Sequence, residues 1–63
     1  MTLVLKNEDA VAEFLEHVAL LVRKRLVSGL SIEMHAGRPS RGTIVFAIEP
    51  EADDVASLKE LGT

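Results

Sequence analysis

Apolar positions recur at helical spacing from Asn7 to Val27 and alternate with polar ones on either side of that stretch. Within it, Val11, Phe14, Leu15, Val18, Val22 and Leu26 share one stripe of a 3.6-residue period, which predicts a long helix facing a core. Asn7 suits the N-cap, since its side chain can accept from a backbone N–H of the first turn. Glu8 and Asp9 complement the positive end of the helix dipole, and Arg23, Lys24 and Arg25 its negative end. Ser28-Gly29 supplies the stop, because glycine enters the left-handed conformation without steric cost. Leu20 and Val27 break the pattern: they fall on the opposite face, among Glu13, Glu16, Arg23 and Lys24.

Thr2 to Lys6 alternates as a short strand, with Leu3 and Leu5 on one face and Thr2, Val4 and Lys6 on the other. Leu30–Ala36 and Gly42–Glu49 alternate in the same way, with Leu30, Ile32, Met34 and Ile44, Phe46, Ile48 inward and Val45 and Ala47 outward. The breaker-rich segment Gly37-Arg38-Pro39-Ser40-Arg41 between them makes a β-hairpin loop. Glu49 precedes Pro50, which favours extended backbone and closes the strand. A second, shorter helix is expected from Glu51 or Asp53 to Leu61, with Val55, Leu58 and Leu61 as its apolar face and Gly62 as its stop.

The order is strand, helix, hairpin, helix. It predicts a single two-layer α+β domain over 1–63, with both helices on one face of a three-stranded, mostly antiparallel sheet. A right-handed crossover from Lys6 to Leu30 makes the first two strands parallel, and inserting the third between them gives the order 1-3-2. This is a split βαβ followed by a helix, the ferredoxin-like plan without its last strand. The first strand is then an open edge, with Lys6 as its visible charged guard.

Size sharpens the picture. At 63 residues a single core barely offsets chain entropy, and without cysteine neither disulfides nor thiolate zinc can add to it. Oligomerisation remains, a dimer being the simplest case. The outlying Leu20 and Val27, with Val4, Val45 and Ala47 on outward positions, are the candidate contact residues. Two phenylalanines and no tyrosine or tryptophan leave no base-stacking platform, and a formal charge of −3 opposes non-specific DNA binding. Met1-Thr2-Leu3 lacks a basic, signal-like start and no apolar run is long enough to span a bilayer, so a cytoplasmic protein without membrane association is expected.

The polar clusters are few. Arg38, Ser40 and Arg41, with His35 beside them, carry donors that suit a phosphate or carboxylate, or a nucleic-acid groove entered by a basic hairpin. Gly37-Arg38-Pro39 is similar to the tripeptide of minor-groove hooks, in one copy without basic flanks. Arg23-Lys24-Arg25 would join such a surface only if folding placed it on the same side. Glu13 and His17 stand one helical turn apart, but two ligands make no metal site, and the carboxylates around Pro50 lack calcium-loop spacing. No phosphate loop, nucleophile elbow or triad is present. The sequence therefore predicts a non-enzymatic, cofactor-free protein that self-associates and binds another macromolecule, a protein first. The alternative is a dimeric nucleic-acid binder using the loop arginines.

Overall fold

The structure is a computed structural model that describes residues 1–61. Strand β1 (Thr2–Val4) leads into helix α1 (Glu8–Arg23), followed by β2 (Val27–His35), β3 (Arg38–Phe46) and helix α2 (Ala52–Leu61). The three strands form one sheet in the order β1-β3-β2, with β3 antiparallel to both neighbours. The α+β plan and its strand order are those the alternation predicts, and the expected second helix is formed. The anticipated stop at Gly62 lies outside the described residues.

Helix α1 starts where Asn7 sets it, the Asn7 Oδ1 accepting from the Ala10 N–H at 2.8 Å. It ends at Arg23, four residues short of the expected Val27. Arg25 takes a left-handed conformation (φ 61°); the Leu26 N–H donates to the Leu21 carbonyl at 3.1 Å and the Arg25 N–H to the Val22 carbonyl at 2.9 Å. This pair of bonds is a Schellman stop with arginine in the position glycine usually holds. Leu21 and Leu26, which the motif brings together, are both buried. Packing of Leu26 thus ends the helix before glycine is reached, and Val27, expected on the helix, begins β2 and packs half-buried against the core.

The hairpin is also tighter than its composition suggests. Only Ala36 and Gly37 form the turn, both with positive φ (52° and 82°), as a two-residue type I′ connection requires. Arg38 to Arg41, expected in a loop, therefore lie on β3, and the strand closes at Phe46 rather than Glu49. Ile48, expected inward, follows the strand and is exposed.

The core joins Leu3, Leu5, Ile44 and Leu26 to Phe14, Val18 and Leu21 of α1 and Leu58 of α2, with Val55 also buried. Phe14 and Val18 belong to the expected stripe, but Leu21 replaces Leu15 and Val22, both of which are exposed. The stripe is rotated because α1 sits over β3 and leans towards α2. Its Phe14 ring occupies the space above Gly42, where a side chain would overlap it. Gly42→Ala is therefore expected to destabilise the fold by about 1–3 kcal/mol through overpacking, measured by urea unfolding. Arg25→Gly, by relieving the left-handed arginine, should raise stability by up to about 1 kcal/mol in the same assay.

Candidate functional site

The polar clusters are placed apart. Arg38 lines a shallow, open depression of about 390 Å³ with Asn7, Glu8 and Asp9 at the start of α1. An anion approaching it meets two carboxylates. Arg41 lies 3.6 Å from Glu33 across the β2–β3 ladder, on the sheet face away from the helices, and Ser40 Oγ donates to the Glu33 carbonyl at 3.2 Å. His35 is exposed at the end of β2, paired with Arg38 across the turn. Arg23, Lys24 and Arg25 sit at the far end of the 16-residue α1, about 24 Å from the depression that holds Arg38. The condition for the two basic groups to form one surface, that folding place them on the same side, is therefore not met.

Lys24 has a structural partner instead. Its Nζ donates to Asp54 Oδ1 at 2.8 Å, tying the end of α1 to the first turn of α2. Asp54 Oδ2 also accepts from the Glu51 N–H at 3.3 Å, half of a capping box on α2. The hydrogen bond from Lys24, helped by the ammonium charge and the Glu51 amide and opposed by partial desolvation, holds the Asp54 carboxyl below its ordinary range. The same hydrogen bond and the charge of Asp54 raise the Lys24 ammonium.

The other histidine serves its own helix: His17 Nδ1 donates to the Glu13 carbonyl at 2.8 Å rather than meeting the Glu13 carboxylate. Among the described residues no group of three His, Asp or Glu side chains is placed to hold a metal ion, and no helix is long and apolar enough to cross a membrane. A second open depression of about 440 Å³ lies between Met1, Phe46 and the start of α2, lined by apolar residues together with Glu49 and Lys59.

The prominent surface feature is apolar. Leu30 and Ile32 pair with Ile44 and Gly42, so they lie on the helix-bearing side of the sheet as expected. Their cover is incomplete: Leu30 and Ile32 are 44% and 39% exposed, Met34 of the same strand is 55% exposed, and Leu15 and Val22 of α1 are 45% and 53% exposed. Lys24, which reaches α2, projects from the flank of α1 opposite Leu15 and Val22. Since α2 packs beside β1, Leu15 and Val22 face the β2 side. One uncovered band thus runs from the bare flank of α1 across β2 to the sheet edge. Alternation alone hides it, because it marks which face of a strand turns inward but not whether a helix lies above.

Of the residues expected at an interface, Leu20 is 53% exposed on the solvent side of α1, and Val4 and Val45 are exposed on the outer sheet face. Ala47 is exposed just after β3, and Val27 is the half-buried residue already described. Comparison of the chain with protein-family models, curated proteins and solved structures finds no match.

The Lys24–Asp54 tie carries a pH signature. Asp54, with its lowered pKa, contributes fully above the unfolded carboxylate range and loses that contribution as pH falls through its folded value. Lys24, with its raised pKa, contributes fully below the usual lysine range and loses it as pH rises through its folded value. Asp54→Asn should therefore lower the melting temperature near neutrality, by a margin that shrinks on acidification through the Asp54 titration. A margin constant with pH would show that the ion pair does not hold the helices together.

Proposed function

We propose that this protein is a small, non-enzymatic interaction module that self-associates and binds a protein partner through apolar surface. The supporting observation is the band formed by Leu15, Val22, Leu30, Ile32 and Met34, which the two helices leave uncovered. Solitary apolar side chains on a surface are ordinary, but five converging on one side of a 63-residue chain remove a large share of its available hydrophobic stabilisation. The chain has no disulfide to compensate. Its accessible surface of 4391 Å² also exceeds the roughly 3,950 Å² of a compact monomer of this mass.

Leu20 on the solvent side of α1, and Val4 and Val45 on the opposite, outer sheet face, supply two further contact surfaces for a different protein, separate from the band. The two depressions are shallow and open, which suits surface recognition better than enclosure of a substrate. Sedimentation equilibrium tests the self-association directly. The chain should sediment as a dimer or larger at tens of micromolar, and Val22→Lys should weaken association by about tenfold or more. A monomer persisting to about 100 µM would overturn the reading.

A further inference from the structure

We infer that the partner covering the band is a second copy of the chain, joined edge to edge through antiparallel pairing of β2 with β2 into a six-stranded sheet. This rests on the self-association proposed above and specifies its geometry. Strand β2 is an outer strand of the sheet, nine residues long and without proline, whereas the other edge, β1, is three residues long. A long edge offers a row of backbone donors and acceptors to a further strand. The apolar band ends at this same edge, so whatever pairs with β2 also brings material over Leu30 and Ile32.

The sequence of β2 suits its own reverse. Irregularities interrupt its pairing with β3 between Val27 and Gly29 and between Glu33 and Met34, leaving Gly29–Glu33 as the regular stretch. Ser31 is the centre of that stretch. A two-fold axis through Ser31, perpendicular to the sheet, sets Leu30 opposite Ile32 of the second copy and Ile32 opposite its Leu30, all four on the helix side. Gly29 then faces Glu33 of the second copy, so no like charges oppose each other, and Arg41 remains beside Glu33. An axis through Glu33 would instead place two carboxylates face to face.

The spacing above the sheet also agrees. Phe14 anchors α1 over β3 at Gly42. In the joined sheet the two β3 strands lie three strand spacings apart, about 14 Å. Helices are about 10–12 Å across with their side chains, so the two copies of α1 would approach with a narrow gap between them. Leu15 and Val22 project into that gap from each side, above Leu30 and Ile32. The same association thus satisfies the strand edge and covers the band.

The absence of cysteine makes the test clean. Directly opposed residues of antiparallel strands have Cα atoms about 4.5–5.5 Å apart, within the reach of a disulfide. Ser31→Cys should therefore convert to a disulfide-linked dimer under mild oxidation and, when reduced, sediment like the wild type. Thr2→Cys, on the β1 edge, should not link. Ile32→Lys, at an exposed position, should give a folded monomer by circular dichroism and sedimentation. If the wild type is oligomeric but Ser31→Cys fails to link and Ile32→Lys leaves the oligomer intact, the edge pairing is overturned and self-association stands. A monomeric wild type overturns both.

Discussion

The seat of Phe14 on Gly42 decides where everything else lies. Phe14 is fully buried, and its ring occupies the volume that any other residue at position 42 would fill with its own side chain. That contact places α1 over the central strand. Helix α2 packs against α1 and beside β1, so both helices serve the β1–β3 side of the sheet. Close packing does not stretch to compensate, and the inner face of β2 is packed at Val27 but only partly covered beyond it. Relative to the ferredoxin-like plan, the missing strand would lie beside β1, whereas the missing cover lies at β2, on the opposite side.

The ends of the helices hold this asymmetric arrangement together. Arg25 accepts a left-handed backbone so that Leu26 can join Leu21 in the core and β2 can begin at Val27. Asp54 at once caps α2 and grips Lys24 at the end of α1. Helix α2 brings two buried residues, Val55 and Leu58, so an ion pair tying it to α1 is valuable in a small core that lacks cross-links.

Charge and apolar surface are partitioned over the molecule. The arginines face carboxylates: Arg38 beside Glu8 and Asp9, Arg41 near Glu33. The remaining basic cluster stands at the other end of α1. What is concentrated on one side is apolar and continuous with a strand edge. Such a surface suits another protein better than a polyanion.

Local chemistry in the sequence determined the element types and their order, the Asn7 cap, the alternation that assigns Leu3, Leu5 and Ile44 to the core, and the strand order 1-3-2. These depend on side-chain period and chain connectivity, which any reader of the chain possesses. The end of α1, the two-residue turn at Ala36-Gly37 and the rotation of the helix stripe from Leu15 and Val22 towards Leu21 were decided by tertiary packing. So was the exposure of Leu30, Ile32 and Met34, the feature on which the functional proposal stands. A residue's period tells which way it points; only the position of the neighbouring element, set here by one aromatic ring against one glycine, tells whether anything lies there to meet it.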